Sequence, residues 1–222
     1  LAGEYLGKRL ARKYGTELNQ KYQQEGLGAS EDTTAFIAFE EAERSRFIQE
    51  NKDIFSQAGV VGGFTSKFRE YTSRLDSEHI STATGNLVTN QQAGFRELVQ
   101  DNVESFLAGT LSENSFGLAI KYAQDDFKIG FGFNNSVTNK QTMQAIVDYA
   151  QQAPNLTYEQ RLGVLNLSYR IETTKGSYLG NTGEAELMLG KARVAIDKQE
   201  DQRLDKENKL YTRSKTLVKD EI

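Results

Sequence analysis

Cysteine and histidine, which often act as nucleophiles, bases or transition-metal ligands, are almost absent from this sequence. The chain of 222 residues contains no cysteine and a single histidine, His79. A Ser-His-carboxylate triad or a histidine-rich metal site cannot be assembled from this chain alone, and a thiolate site is excluded. Because Glu78 precedes it and most of its sequence neighbours are polar, we expect His79 to lie on the surface or at an interface. The sequence predicts no catalytic, cofactor-binding or metal-binding residue.

The paired carboxylates and the glycine-rich segments also lack the pattern of a site. Asp125-Asp126 and Glu40-Glu41 are adjacent in sequence, and neighbours on a helix point about 100° apart, so they do not converge on one proton or metal ion. We expect both pairs to be solvated. Gly130-Phe131-Gly132 lacks the third glycine of a dinucleotide fingerprint, and no glycine-rich loop ends in Gly-Lys-Ser or Gly-Lys-Thr. Nucleotide binding is therefore not expected.

One acidic residue has a catalytic precedent. Glu104-Ser105 resembles the Glu-Ser pair of lytic transglycosylases, in which a glutamic acid protonates a glycosidic oxygen. The companion Gly-Leu-Met-Gln segment of that family is absent, and Glu104 falls on the predicted solvent side of its helix. We expect an exposed helical glutamate rather than a catalytic acid.

A basic cluster near the start of the chain is the only candidate phosphate contact, and its members are Lys8, Arg9, Arg12 and Lys13. The formal net charge of the whole chain is −4, so it has no overall attraction to nucleic acid or anionic lipid. Contact with phosphate would have to be local to this cluster. Pairing with acidic helices is the ordinary alternative.

The elements that position these residues are predicted to be helices. The chain has one proline and many good helix formers. Its clearest periodicity is a stripe of five apolar residues spaced three, four, three and four apart, which indicates an amphipathic helix with Phe68 buried. These residues are Val61, Phe64, Phe68, Tyr71 and Leu75.

Three segments are predicted along the chain. Residues 1–128 form an N-terminal helical region of five helices, with a polar break at 76–86. Residues 129–181 combine helices with a glycine and aromatic stretch at 129–133, either a short strand or a loop, and an extended hairpin at 168–183. Residues 182–222 form one long charged helix. The fold class is mainly α, a multi-helix array with one short hairpin or extended loop and a long protruding C-terminal helix.

The C-terminal helix carries a narrow apolar seam. Residues 197–222 contain seven basic and seven acidic side chains. Leu204, Tyr211 and Val218 recur at intervals of seven, with Leu210 and Leu217 beside them. Since a helix this polar gains little from burial in its own domain, we expect these five residues to contact another helix. That helix would belong to a neighbouring subunit or to a following part of the same gene product.

Residues 143–203 contain, in order, a helix, a turn, a Gln-Arg pair, a Leu-Asn pair, a second turn and a long charged helix. The segments are Ala153-Pro154-Asn155-Leu156-Thr157, Gln160-Arg161, Leu165-Asn166 and Leu179-Gly180-Asn181-Thr182-Gly183. In this order they resemble a region of the internal core proteins of short-tailed, T7-like phages.

This resemblance implies a helical virion protein that stacks as a ring above the portal inside the capsid. On infection such proteins leave the particle and reassemble across the host periplasm as a tube for genome passage. The implied partners are copies of the same chain in a ring or tube, other core and ejection proteins, the portal, and genomic DNA passing through a lumen without sequence-specific binding. No active-site residue is transferred and no cofactor is implied.

Two other functions stay open, a bacterial helical scaffold or adaptor and a cell-wall hydrolase fragment.

The sequence shows neither a membrane span nor a secretory leader, and it begins Leu1-Ala2-Gly3 without methionine. We therefore expect a segment of a longer gene product.

Overall fold

The structure, a computed structural model, describes residues 2–174 and 176–220, with side chains described as far as residue 213. Within these residues the chain forms helices and no β-strand, which confirms the predicted mainly α class. No helix in this described part is both long and apolar enough to cross a membrane. The helices are α1 (Ala2–Gln24), α2 (Ala35–Glu50), α3 (Lys52–Phe55), α4 (Val60–Leu107), α5 (Glu113–Phe131), α6 (Asn135–Gln152), α7 (Tyr158–Asn166) and α8 (Gly183–Asp220).

The chain divides into two compact units. The first comprises Leu1–Asn90 and the second Gln91–Ile222, so α4 contributes residues to both. The predicted segments 129–181 and 182–222 both lie in the second unit. The predicted N-terminal region, 1–128, contains the first unit and the beginning of the second.

In the first unit, α1 runs parallel to the first part of α4. Gly7 lies against Phe64, Gly15 against Tyr71, and the Tyr22 hydroxyl against His79, so the numbers rise together along both helices. The core between them and α2 is rich in aromatic rings, which bury large apolar areas. Its largest fully buried members are Tyr14, Phe36, Phe47 and Leu18.

The predicted apolar stripe of α4 is largely confirmed. Phe64, Phe68 and Leu75 are buried in this core, as their spacing predicts. Val61 does not follow the prediction, because its side chain is 58% exposed while the preceding Val60 is fully buried. The stripe therefore begins one residue earlier than the sequence suggested.

The predicted break at residues 76–86 is wrong, because α4 is continuous from Val60 to Leu107. Within this polar stretch, His79 and Ala83 are buried. The side-chain amide of Asn86 donates to the carbonyls of Gly28 and Ser30, at 2.9 and 3.0 Å. In this part of α4, polar side chains hold the helix against the rest of the first unit, as apolar side chains do elsewhere in the helix.

In the second unit, the end of α4 packs with α5, α6, α7 and α8 around one apolar core. The predicted capping box at the start of α7 is present, with Thr157 and Gln160 bonded reciprocally. One turn later, the Arg161 guanidinium donates to the carbonyls of Ala150, Gln151 and Ala153, at 2.6, 3.0 and 3.1 Å. These contacts satisfy carbonyl groups at the end of α6 and tie it to α7.

Two segments of the second unit were only loosely specified by sequence. Residues 129–131 belong to α5 rather than to a strand or loop, and the helix stops at Gly132, whose φ of 70° suits glycine. The predicted hairpin is an extended loop with one antiparallel bridge, between Glu172 and Tyr178. Short 3₁₀ turns flank it at Leu167–Arg170 and Leu179–Asn181.

Candidate assembly surface on the C-terminal helix

The first half of α8 is held to the core by a single apolar stripe. Ala185, Leu189, Ala192 and Ile196 are spaced four, three and four apart, so they share one face of the helix. Each is at most 2% exposed. This stripe fixes which side of α8 faces the body of its unit.

Beyond Ile196 the same face becomes charged. Glu200, Arg203 and Glu207 continue the spacing of the stripe at four, three and four residues. The Arg203 guanidinium donates to both carboxylate oxygens of Glu200, at 2.7 and 2.9 Å, and also to Glu207. The hydrogen bond from Arg203 lowers the pKa of the Glu200 carboxyl, so both groups stay charged near neutral pH. The stripe thus changes from apolar to ionic where α8 leaves the core.

Residues 201–213 of α8 are all exposed. The exposed fractions of Leu204, Leu210 and Tyr211 are 43%, 65% and 68%. The other two predicted interface residues, Leu217 and Val218, lie outside the residues whose side chains are described. The described members are therefore accessible to a partner, and their contact with one stays a prediction.

An open groove marks the place where α8 departs from α7. Its volume is about 650 Å³, and its walls include Tyr158, Arg161, Ile196 and Glu200. The hydroxyl of Tyr158, which lines the groove, donates to Asp197 at 2.8 Å. The groove lies along the face of α8 that carries the stripe. The groove and the exposed part of this face therefore form one continuous surface.

The basic cluster of α1 is exposed but partly neutralised. The Lys8 ammonium pairs with Glu4 at 2.6 Å, and that of Lys13 lies 3.6 Å from Glu17. Arg9 and Arg12 are exposed as well. At about 100° per residue, the four side chains spread over about 140° of the helix surface, so they do not converge on one phosphate. Phosphate contact by these residues stays a prediction.

His79 is not at the surface, contrary to the sequence-based prediction. It is fully buried between α1 and the segment before α2. Its Nε2 lies 2.8 Å from the Asp32 carbonyl oxygen, and its Nδ1 lies 3.0 Å from the Tyr22 hydroxyl. Since a carbonyl only accepts, Nε2 carries a hydrogen and donates to it. The helical spacing could have indicated this burial, because His79 follows Leu75 by four residues on the buried stripe.

Glu40 is likewise buried rather than solvated, while Glu41 is exposed as predicted. The Tyr14 hydroxyl donates to the Glu40 carboxylate at 2.7 Å, and the Arg44 guanidinium lies 3.5 Å from it. Burial raises the pKa of the Tyr14 hydroxyl, and the hydrogen bond to Glu40 raises it further. Glu40 follows Phe36 by four residues, so the helical period again placed it inward.

We expect this buried pair to make the first unit sensitive to alkali. A tyrosine whose pKa is higher in the folded chain contributes stability below its unfolded pKa, about 10, and loses it as the pH rises further. The urea midpoint of the unmodified chain should therefore fall more between pH of about 8 and about 11 than that of Tyr14→Phe. Tyr122→Phe, which alters an exposed tyrosine, should behave like the unmodified chain. Equal falls in all three proteins would contradict the assignment.

The other carboxylates singled out in the sequence, Glu104, Asp125 and Asp126, do not form a site together. Glu104 is exposed as predicted and accepts a hydrogen bond from Tyr149 at 3.3 Å, whereas the Ser105 hydroxyl donates to the Asp101 carbonyl. Asp125 pairs with Lys128 at 2.7 Å and Asp126 points to solvent. Across the described residues, no three His, Asp or Glu side chains are grouped closely enough to hold a metal ion.

Comparison with protein-family models, with curated proteins and with solved structures finds no match to this chain. Its function is therefore inferred from its own surfaces and from the resemblance of residues 143–203.

Proposed function

We propose that this chain is a structural subunit of a phage internal core, ejected during infection to form a periplasmic conduit for genome delivery. The observation that carries the proposal is the exposed half of α8. It extends a helix beyond its own core and presents Leu204, Leu210 and Tyr211 to solvent. The resemblance of residues 143–203 to the internal core proteins of short-tailed phages supplies the biological setting.

The exposed half of α8 has the properties of an assembly element. Residues 201–213 of α8 are all exposed, so packing within their own unit stabilises them little, and most helix stability in proteins comes from packing of an apolar face. Ion pairs within the helix, such as Lys209 with Asp205, add a few tenths of a kcal/mol each at most. Packing against another helix would supply the missing stability, and a ring or tube of subunits provides such neighbours.

Assembly into a ring or tube also accounts for the partners that the resemblance of residues 143–203 implies. Copies of the chain form the ring or tube, and other core proteins and the portal contact it within the virion interior. After ejection it occupies the host periplasm and cell envelope. With a net charge of −4, the chain suits passage of DNA through a lumen better than tight binding, because a net negative surface does not retain phosphates.

The location of the protein tests this proposal. In purified particles of the source phage, the protein should be resistant to added protease until the capsid is opened. After infection it should appear in the host envelope fraction. Absence from the particles would reject the phage core and favour a bacterial scaffold or adaptor. Peptidoglycan cleavage that is lost in Glu104→Gln would instead indicate a hydrolase.

A triple substitution tests whether α8 carries the assembly. Leu204→Ser, Leu210→Ser and Tyr211→Ser together should reduce the mass of the assembly in solution while leaving helicity nearly unchanged, since these side chains are outside the core. The matched control is Leu187→Ser with Val194→Ser, which removes two exposed apolar side chains of α8, 61% and 68% exposed, on the face away from the stripe. An unchanged mass in the triple variant, or collapse of the whole unit, would contradict the assignment.

A further inference from the structure

We infer that the outer face of α5 is a second assembly surface, where two copies of this chain pair with their α5 helices antiparallel. The contact lies in the second unit and involves no residue of α8, so it goes beyond the assembly element of the proposed function. α5 carries apolar residues on two sides, and the charges on its exposed side are complementary to those of a second copy.

Apolar residues occupy two opposite sides of α5. Those on the core side pack within the second unit and are Phe116, Ile120, Ala123 and Phe127. Leu118, Tyr122 and Ile129 lie on the other side, spaced four and seven apart, with exposed fractions of 56%, 69% and 86%. These three residues define the outer face. A helix that is apolar all round is normally covered on both sides. The outer face has no such cover among the residues that the structure describes.

The apolar surface continues from α5 onto the neighbouring loop. Leu118 and Tyr178 line one open groove of about 230 Å³, and Tyr178 is itself 44% exposed. Lys121, Arg170 and Glu172 also line this groove, and the Lys121 ammonium lies 3.9 Å from the Glu172 carboxylate. Adjoining exposed apolar residues with a polar rim are typical of a contact between proteins, whereas single ones are ordinary. We therefore expect a protein partner on the outer face.

The charges of the outer face select a second copy as that partner. The charged side chains on or beside it are Lys121, Asp125, Asp126 and Lys128. Asp125 pairs with Lys128 at 2.7 Å and lies on the same edge of the face as Lys121, about one turn further along. Asp126 lies on the other edge, exposed to solvent. A parallel pair would set Asp125 beside Asp125. In an antiparallel two-fold pair the same edges adjoin, so Lys121 of each copy lies beside Asp125 of the other. Opposite charges across a helix pair set partner choice and orientation.

One register makes both charge contacts and also pairs the apolar residues. With the two-fold axis near the middle of α5, Leu118 of each copy is level with Ile129 of the other. Lys121 then lies within one residue of the level of Asp125. The two Tyr122 rings lie on either side of the axis, three residues or about 4.5 Å apart along the helices. Such a contact uses the same surface on both copies. It joins two subunits and leaves closure of a ring to other surfaces, including α8.

Charge reversal tests this contact in the full chain that carries the triple substitution of α8, which removes the other assembly surface. We expect this variant to sediment as a dimer in equilibrium with monomer. Lys121→Glu should weaken the dimer about tenfold, because both charge contacts become repulsive. Adding Asp125→Lys should restore it, since opposite charges then face each other again. Lys140→Glu, the same change at an exposed residue of α6, is the control and should leave the dimer unchanged.

Single cysteines measure the orientation, since the chain contains no native cysteine. Leu118→Cys and Ile129→Cys are prepared separately in the full chain and treated with a short bismaleimide. We expect a cross-linked product only when the two are mixed, because two copies of either position are separated by 11 residues of helix, about 16 Å. Lys140→Cys is the control and should not cross-link.

The outcomes separate this contact from the proposed function. Self-linking of Leu118→Cys and of Ile129→Cys, with no product from the mixture, would establish a parallel pair and overturn the inference. A dimer that Lys121→Glu leaves intact would place the interface elsewhere and also overturn it. A monomeric triple variant of α8, with helicity retained, would assign the outer face to a different protein while leaving assembly through α8 possible in the unmodified chain. A dimer with the expected cross-link, in an unmodified chain that forms nothing larger, would support the α5 contact and reject the proposed ring or tube.

Discussion

Replacing Phe68 with alanine should lower the free energy of unfolding of the first unit by about 3–5 kcal/mol. The ring is 8% exposed and stacks on Phe64, with centroids 5.2 Å apart and planes 13° from parallel. The Arg44 guanidinium lies over it, 5.3 Å from the centroid. Truncation removes the transfer free energy of the ring and leaves a cavity that two helices would have to close. The loss should therefore be near that of other large buried side chains.

Urea unfolding followed by circular dichroism measures this loss. Tyr5→Ala is the matched control, since it truncates an aromatic side chain that is 74% exposed, also in the first unit. It should change the free energy of unfolding by no more than about 0.5 kcal/mol. A loss below about 1 kcal/mol in Phe68→Ala would mean that the ring is not packed between helices as described.

The helical period accounts for how much of the fold could be predicted. The 3-4-3-4 spacing around Phe68 placed the core face of α4 almost correctly, and the Thr157 and Gln160 pair located the start of α7. Both features are local, because a period or a cap is encoded within a few residues. The error at Val61 is one residue, because Val60, four residues before Phe64, fits the helical period as well as Val61, three residues before it.

The buried polar residues could not be predicted in the same way. His79 and Glu40 continue apolar stripes, but they are tolerated in the interior only because Tyr22, Asp32 and Tyr14 satisfy their hydrogen bonds. Those partners lie 26 to 57 residues away in sequence. Composition alone therefore assigns such residues to the surface, and only the tertiary contacts show why they are inside.

The candidate assembly surface could be predicted only in part, because recurrence is a local feature and contact with the core is not. The recurrence at sevens marked Leu204 and Tyr211, and both are exposed on α8. Recurrence did not show that the core-facing stripe continues past Ile196 through Glu200, Arg203 and Glu207, with Leu204 and Tyr211 to one side of it, because that depends on which residues of α8 touch the body of the unit. The partner itself is not encoded in one copy, since an interface requires the complementary surface.

Two neighbouring glycines of α4 should respond to the same substitution with opposite signs. Gly63 is buried where α1 and α4 cross, and a methyl group there would lie 2.8 Å from the Glu4 carbonyl carbon and 2.9 Å from its Cα. Gly7 of α1 is equally close, 2.6 Å from the Phe64 nitrogen by the same measure. Gly62 is exposed and a methyl group there meets nothing within 4 Å. Backbone atoms cannot move aside as a flexible side chain can, so packing requires a glycine at position 63 but not at position 62.

Gly63→Ala should therefore lower the free energy of unfolding by about 1–3 kcal/mol, because the helices must separate to admit the methyl group. Gly62→Ala should raise it by about 0.5–1 kcal/mol, since alanine loses less backbone entropy in a helix. The two variants have the same composition and differ by one position, so their difference of about 1.5–4 kcal/mol isolates the helix crossing from helix propensity. Urea midpoints measured side by side give this difference directly. If Gly63→Ala proved as stable as Gly62→Ala, α1 and α4 would not approach at backbone contact, and the parallel crossing that organises the first unit would be wrong.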